Sequence, residues 1–221
     1  MRANEFAEAC RIAGGLEEAP TGALMMLCRT LLVGLLALAP SLSFVARAAA
    51  GKGNPVVVLS TSMGDIKVEL YPDKAPITSK NFLDYVKAGY YDGTIFHRVI
   101  RNFVVQGGGL GTDLQEKREG LRPPIKSEAS NGLKNDAGTI AMARITPVPD
   151  SATCQFYINV TNNSASLDAA PDKPGYAVFG KVIDGMDVVK KIEQVKTASK
   201  AGREGVPIDP ITINSAKILA E

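Results

Sequence analysis

Apolar and polar positions alternate in eight short stretches between residues 56 and 219, and alternation of this kind predicts β-strands. The stretches are rich in β-branched side chains, and turn-forming residues such as glycine, asparagine and aspartate lie between them. The predicted strands are 56–60, 65–70, 94–100, 103–107, 138–143, 155–160, 177–182 and 211–219.

Two stretches have helical rather than alternating spacing. Residues 76–88 begin with Pro76 and are followed by Gly89, which are typical residues at the two ends of a helix. Residues 185–192 form the second predicted helix, with Met186, Val189 and Ile192 on one side. The apolar face of the first helix consists of Thr78, Phe82, Tyr85 and Val86.

Eight strands without regular strand–helix alternation favour a mainly β fold, namely a closed eight-stranded antiparallel β-barrel capped by two α-helices. A barrel of eight strands is only just wide enough to hold its own side chains. A large ligand would therefore bind the outer wall, and the bulky strand residues argue against a small lipophilic ligand carried inside. Residues 111–134 are predicted to be one long loop.

Residues 1–50 have a different pattern and are interpreted as an N-terminal leader. An apolar core at about residues 31–45 follows Arg29, and small residues of the Ala-x-Ala type end at Ala50. These are the parts of a cleavable secretory signal peptide. Cleavage there would leave residues 51–221 as the mature domain. An uncleaved signal anchor is the alternative, although the core is short for a membrane span.

Composition removes several other classes of function. The 221 residues include 25 basic and 23 acidic side chains, which argues against a strongly basic nucleic-acid-binding protein. One histidine and three cysteines leave few ligands for a zinc site, and only Cys154 lies beyond the leader. The sequence therefore predicts no intramolecular disulfide in the mature domain, no metal and no cofactor.

The segment FHRVIRNFVVQGGG, residues 96–109, contains the most informative polar side chains. Strict alternation would place Arg98 on the same strand face as Phe96 and Ile100, and Gln106 on the same face as Val104. A charged donor among apolar side chains is costly unless it faces a groove or has partners. The pattern predicts a donor beside an apolar pocket, although Arg98 alone would also be compatible with a surface salt bridge.

This segment resembles the signature of the cyclophilin family of peptidyl-prolyl cis-trans isomerases. The segments GTIAMAR (138–144), SATCQFYINV (151–160) and YAVFGKVIDGMDVV (176–189) resemble further family blocks in the same order. The resemblance covers essentially all of residues 55–219 and is greatest to the exported bacterial branch. It implies an eight-stranded barrel with two capping helices and a proline-binding pocket on the outer face.

The resemblance also implies roles for individual residues. Arg98 matches the catalytic arginine, Gln106 the glutamine that supports it, and Phe103 a wall of the pocket. Arg144 stands where asparagine is usual, and Ser166 stands where an aromatic residue is frequent, which opens one wall of the pocket. The substrate-binding positions implied in this way are Val104, Ala143, Arg144, Gln155, Tyr157, Leu167 and Tyr176.

The activity implied is acceleration of rotation about X–Pro peptide bonds during protein folding. The expected partners are proline-containing polypeptides, with no nucleic acid and no stable membrane insertion after processing, and the protein is expected to be a periplasmic monomer. A proline-peptide-binding or chaperone module with little turnover is the alternative. His97 is interpreted as a structural strand residue, and Gly107–Gly109 as a turn or bulge rather than a phosphate loop.

Overall fold

A computed structural model describes residues 53–220 of the chain, and the predicted signal peptide lies outside these described residues. Most of the described domain is antiparallel β-structure, with three α-helices and one short 3₁₀ turn at Pro149–Ser151. The helices are α1 (Pro76–Lys87), α2 (Ser164–Leu167) and α3 (Met186–Glu193). The strands are β1 (Val56–Thr61), β2 (Gly64–Leu70), β3 (Phe96–Ile100), β4 (Val104–Gly107), β5 (Thr139–Met142), β6 (Phe156–Asn159), β7 (Val178–Asp184), β8 (Thr197–Lys200), β9 (Arg203–Pro207) and β10 (Ile213–Ala220).

Eight of the strands form one curled antiparallel sheet in the order β10-β1-β2-β7-β5-β6-β4-β3. The edges, β3 and β10, approach each other through the residues that precede them rather than through a continuous ladder. Ile95 and Thr212 form an isolated bridge, the N–H of Phe96 donates to the carbonyl of Ile211 at 2.9 Å, and that of Ile213 donates to Thr94 at 2.8 Å. The mainly β, eight-stranded antiparallel architecture is confirmed, and its closure is approximate.

Aromatic rings fill the inside of the sheet. The Phe82 ring of α1 lies 5.1 Å from Tyr91, 5.5 Å from Phe156 and 5.2 Å from Phe179, measured between centroids. All four side chains are fully buried, and Phe96 packs edge-on against Phe156. Such contacts contribute both buried apolar area and favourable ring geometry. The interior is thus a packed core, which leaves the outer face of the sheet for ligands.

The two predicted helices are present with nearly the predicted bounds. All four residues of the predicted apolar face of α1 are buried, and Pro76 occupies its first turn. In α3, Val189 and Ile192 are fully buried in the core, while Met186 packs against it. Gly185 precedes α3 with φ +87°, a conformation that favours glycine. Hydrophobic spacing was sufficient to predict both elements.

Strict alternation along residues 96–100 was wrong at Phe96. A register shift between Phe96 and Arg98 marks a β-bulge opposite β4, which inserts His97 as an extra residue. Phe96 and Val99 both belong to the interior core as a result, whereas Arg98 points to the other face and pairs across the ladder with Gln106. The bulge therefore separates the catalytic candidate from the core.

Three small elements were not predicted from the sequence: the β8–β9 hairpin, α2 and the 3₁₀ turn. The hairpin is a separate two-stranded sheet whose segments, TASK and REGVP, are largely polar. Its position depends on contact with β3, because a Cβ on Gly205 would lie 2.7 Å from Ile100 Cδ1. Within the described residues, no helix has the length and apolar character needed to cross a membrane.

Candidate active site

A second apolar cluster, here called the outer pocket, lies on the face of the sheet opposite the core. Its members alternate in sequence with core residues such as Val105 and Phe179, so that neighbouring side chains point to opposite faces. The buried members are Val104, Ala141, Tyr157 and Val178. The partly buried members packed against them are Phe103, Leu133, Ala143, Leu167 and Tyr176.

Arg98 lies beside this pocket. Its guanidinium carbon is 5.9 Å from the centroid of the Phe103 ring, within the range of a cation–π contact. Its Nη1 donates a long hydrogen bond of 3.5 Å to Oε1 of Gln106. The donor is therefore held by an aromatic face and a neutral amide, and its remaining N–H groups are left for a ligand.

The side chain of Gln106 is oriented in turn by Gln155. Its Nε2 donates to Oε1 of Gln155 at 3.1 Å, so that the amide oxygen of Gln106 faces Arg98. The glycine run next to β4 makes room for this arrangement, because a Cβ on Gly109 would lie 2.4 Å from Cγ of Gln155. Gly107 ends β4, and Gly108 and Gly109 form the bend that follows, with Gly108 at φ +83°, a conformation that favours glycine.

His97, the bulge residue next to Arg98 in the chain, is buried, with 4% of its surface exposed. Burial, followed by the positive charge of Arg203, lowers its pKa from the usual 6.5 to about 4. Its Nδ1 atom has no hydrogen-bond partner among the described residues. A neutral, enclosed imidazole is a structural side chain and a poor proton donor at neutral pH.

Arg144 lies on the opposite rim of the outer pocket. Its Nε donates to the carbonyl of Gly175 at 2.8 Å, and its guanidinium stacks 4.4 Å from the centroid of the Tyr176 ring. Tyr176 packs edge-on against Tyr157 at 5.9 Å. In residues 53–220, neither the main-chain N–H nor the carbonyl of Arg144 forms an intramolecular hydrogen bond. This stretch of backbone therefore has one donor and one acceptor left for a ligand.

A buried polar network supports the pocket from behind. The Tyr157 hydroxyl donates to Oδ1 of Asn135 at 2.8 Å, and burial raises the pKa of Tyr157 so that the hydroxyl remains a donor. Asn135 donates twice to Asp168, from its main chain at 2.8 Å and its side chain at 2.9 Å. Burial raises the pKa of Asp168, but these hydrogen bonds and Lys134 hold it below its usual value. The network fixes one pocket wall to the loop before β5.

A further hydrogen bond ties α2 to the turn that holds Phe103. Nδ2 of Asn163, immediately before α2, donates to the main-chain carbonyl of Phe103 at 2.8 Å. Leu167 at the end of α2 reaches the outer pocket, whereas Ser166 is exposed. The short helix therefore has a positional role that its sequence alone does not reveal.

The structure brings every predicted site residue to one region. Phe103, Val104, Ala143, Tyr157, Leu167 and Tyr176 form the pocket, and Arg98, Gln106, Gln155 and Arg144 contact its members or one another. Sequence reasoning missed the pocket residues Ala141, Val178 and Leu133. Alternation along β5 and β7 could have identified the first two, whereas Leu133 lies in a loop with no periodic signal.

The described residues contain no group of three or more histidine, cysteine, aspartate or glutamate side chains placed to hold a metal ion. The polar groups at the pocket are two guanidiniums, two side-chain amides, two tyrosine hydroxyls and main-chain groups. These groups can bind and orient a neutral peptide by hydrogen bonding, and none of them is an activated nucleophile.

Comparison with known proteins agrees with this geometry. The family model described as "Cyclophilin type peptidyl-prolyl cis-trans isomerase/CLD" matches residues 56–218. The peptidyl-prolyl cis-trans isomerase of Acinetobacter baylyi is 54% identical over 165 residues, which cover 75% of this chain and 86% of that protein. Peptidyl-prolyl cis-trans isomerase B of Escherichia coli is 47% identical over 165 residues, covering 74% of this chain and 99% of that protein.

The fold has solved counterparts as well. A cyclophilin-type isomerase of Cryptosporidium parvum, crystallised in the presence of the dipeptide Ala-Pro, superposes with a TM-score of 0.61 at 28% sequence identity. The match covers 75% of this chain and 99% of that one. By sequence and by fold, the chain belongs to the cyclophilin family of peptidyl-prolyl cis-trans isomerases.

Proposed function

We propose that the outer pocket binds the pyrrolidine ring of a peptidyl proline and that Arg98 donates a hydrogen bond to its nitrogen as the X–Pro bond twists. The observation that carries this proposal is the position of Arg98, which lies over Phe103 and is held by a neutral amide beside the apolar cluster of the outer pocket. Proline-containing polypeptides that are still folding are the proposed clients.

The reaction needs no covalent step. Amide resonance gives the X–Pro bond a rotational barrier of roughly 18–20 kcal/mol, and uncatalysed exchange takes tens to hundreds of seconds. Twisting the bond breaks this resonance and leaves a lone pair on the proline nitrogen. A donor aimed at that nitrogen stabilises the twisted state more than the planar one, which is the requirement for catalysis.

The chain's residues divide this task between them. Phe103, Val104 and Tyr157 form the apolar walls that enclose the ring, and the Gln155–Gln106 pair orients the guanidinium of Arg98. The free main-chain groups of Arg144 would hold the peptide on the other side. To reach about 10³ turnovers per second, the site must lower the barrier by roughly 6–7 kcal/mol. Orientation and one preorganised charged donor are together of this size.

The decisive experiment is exchange spectroscopy on a proline peptide with wild-type protein and Arg98→Ala. We expect kcat/KM to fall about 10²- to 10³-fold, because the variant lacks the donor that acts in the twisted state. Arg118→Ala, which removes an arginine from an exposed loop, is the matched control. Phe103→Ala should weaken peptide binding as well as rate. Equal rates for wild type and Arg98→Ala would refute the role of Arg98.

We further propose that residues 1–50 direct export and are removed, so that residues 51–221 act in the periplasm. Support comes from the apolar core at about 31–45, from the small residues that end at Ala50, and from the start of the family match at residue 56. The proline-containing clients would then be exported proteins.

Fractionation of cells that produce the full chain with a C-terminal tag tests this proposal. The expected result is a product in the periplasmic fraction whose N-terminal sequence begins near residue 51. Deletion of residues 31–45 should keep the protein in the cytoplasm, because the apolar core is the part that the export machinery recognises. A full-length product in the membrane fraction would show an uncleaved anchor instead.

A further inference from the structure

Arg144 has an unusual environment for a charged side chain. Its Nη1 atom is buried and has no hydrogen-bond acceptor, although Nε is satisfied by the carbonyl of Gly175. Among residues 53–220, no carboxylate lies within ion-pair distance of this guanidinium or of Arg98. Nη2 is neither enclosed nor hydrogen-bonded within this range, so it is the guanidinium nitrogen left for a ligand on a charge that no carboxylate neutralises.

The guanidinium is also held rigidly. One of its faces lies on the Tyr176 ring at 4.4 Å, and the hydroxyl of Tyr176 shares a 3.2 Å hydrogen bond with that of Thr146. The loop that follows is fastened by Ser151, whose Oγ accepts the N–H of Ile145 at 2.8 Å and donates to the carbonyl of Val148 at 2.7 Å. A preorganised donor loses little conformational entropy on binding, so its contacts contribute more to affinity.

The position of Arg144 places this donor beside a bound peptide. The preceding residue, Ala143, packs against the outer pocket, and the main-chain groups of Arg144 itself are free. A peptide that pairs with this backbone while its proline fills the pocket would have the side chains next to the proline beside the guanidinium. A carboxylate is the best partner for such a group, because a hydrogen bond between two charged groups is roughly twice as strong as one between neutral groups.

We infer that Arg144 makes this enzyme select proline peptides that carry an acidic side chain within two residues of the proline. The inference rests on the peptide-docking role proposed above for Arg144. Arg98 is a second positive charge beside the pocket, but the proposed mechanism directs it to the proline nitrogen, which every peptide shares, so the selection among neighbouring side chains is assigned to Arg144. A basic side chain at the same peptide position would be repelled, and a neutral amide would be bound with intermediate strength.

The experiment compares peptides that differ only by glutamate, glutamine or lysine at each of the two positions on either side of the proline. Exchange spectroscopy gives kcat/KM for each peptide with wild-type protein, Arg144→Gln, Arg144→Lys and the exposed control Arg118→Gln. For wild type we expect the glutamate peptide to be favoured about fivefold over glutamine at one position or more, and lysine to be disfavoured. The preference should shrink in 0.5 M salt, because rim charges are screened.

Arg144→Gln should bring the glutamate-to-glutamine ratio close to one, and Arg118→Gln should leave it at the wild-type value. Arg144→Lys should keep part of the preference, because it keeps the charge but not the planar fork. A general loss of activity caused by altering the loop would lower kcat/KM for both peptides by the same factor, so it would not change their ratio. A wild-type ratio near one at every position, or a preference that survives unchanged in Arg144→Gln, would overturn the inference.

Turnover of the glutamine peptide by wild-type protein measures the proposed isomerase site separately. If wild-type protein turns over the glutamine peptide but shows no acidic preference, the selection by Arg144 is refuted and the isomerase proposal is not. The loss of turnover in Arg98→Ala, measured with the same glutamine peptide, tests the catalytic proposal and does not depend on the charge of the substrate.

Discussion

Arg98 and Arg144 are both held by neutral groups, an amide in one case and a main-chain carbonyl in the other. A carboxylate partner would fix either side chain more firmly but would also neutralise part of its charge and occupy its donors. The amide of Gln106 orients Arg98 without neutralising it. In the proposed mechanism, the full positive charge can then stabilise the lone pair that develops on the proline nitrogen. Among the described residues, both guanidiniums are therefore oriented by neutral partners and keep their full positive charge.

His97 leads to a prediction about pH. Its pKa is about 4 in the folded protein and about 6.5 when unfolded, because burial and then Arg203 disfavour the charged imidazole. The unfolded chain therefore binds a proton that the folded protein excludes. The neutral imidazole of His97 therefore contributes about 3 kcal/mol to the free energy of unfolding above pH 6.5, and this contribution is lost as the pH falls towards 4.

Urea denaturation of wild type and His97→Gln between pH 7.5 and 4.5 measures this effect. The free energy of unfolding of wild type should decline steadily below pH 6.5, whereas that of His97→Gln should change much less over the same range. The depressed pKa values of Asp84 and Asp168 act in more acid solution, below their ordinary value of 3.8. Parallel profiles for the two proteins would show that His97 does not carry the dependence.

Helix α1 is stabilised at its start by a residue from the long loop. The helix has no side-chain cap of its own, but both carboxylate oxygens of Glu128 accept hydrogen bonds there: Oε1 from the N–H of Ile77 at 3.0 Å, and Oε2 from the N–H and hydroxyl of Thr78 at 2.8 and 2.6 Å. The negative charge also complements the helix dipole. A loop that appears unstructured in sequence thus completes an element 50 residues earlier in the chain.

Replacement of Glu128 by alanine should lower the free energy of unfolding by about 1–2 kcal/mol, the usual cost of losing an N-terminal cap. The measurement is the midpoint of urea denaturation at neutral pH. An unchanged slope of unfolding free energy against urea concentration shows that the folded and unfolded states keep their compactness. Glu119→Ala is the matched control, because that glutamate is exposed in the same loop. A Glu128→Ala midpoint equal to that of Glu119→Ala would contradict the capping role.

Elements with a strong hydrophobic period were predictable, and those without one were not. The interior faces of β1, β2, α1 and α3 follow from spacing because each element buries one side. The β8–β9 hairpin and α2 contain few buried apolar residues, so that their conformation depends on what they contact. The bulge at His97 was likewise invisible, because the extra residue is defined by the partner strand.

In the whole molecule, the outer pocket exists because one sheet is apolar on both faces at one place. The inner face packs against the aromatic core, while β4, β5, β6 and β7 turn a few small and apolar side chains outwards. These four side chains, one from each strand, are themselves buried, and solvent reaches only the partly buried apolar side chains packed over them; exposed apolar surface of this kind often marks a binding surface. The loops around it add the polar groups that make the patch specific.

The sequence by itself determined the antiparallel class of the fold, the two long helices and the family, because hydrophobic periodicity and ordered motifs are properties of neighbouring residues. The ten proposed site residues came from family resemblance rather than from physics, and their roles stay predictions. Only the tertiary structure decided that Arg98 leaves the core face, that Glu128 completes α1 and that the donor of Arg144 lacks an acceptor. Each of these depends on contacts between residues distant in the chain, and local pattern does not record such contacts.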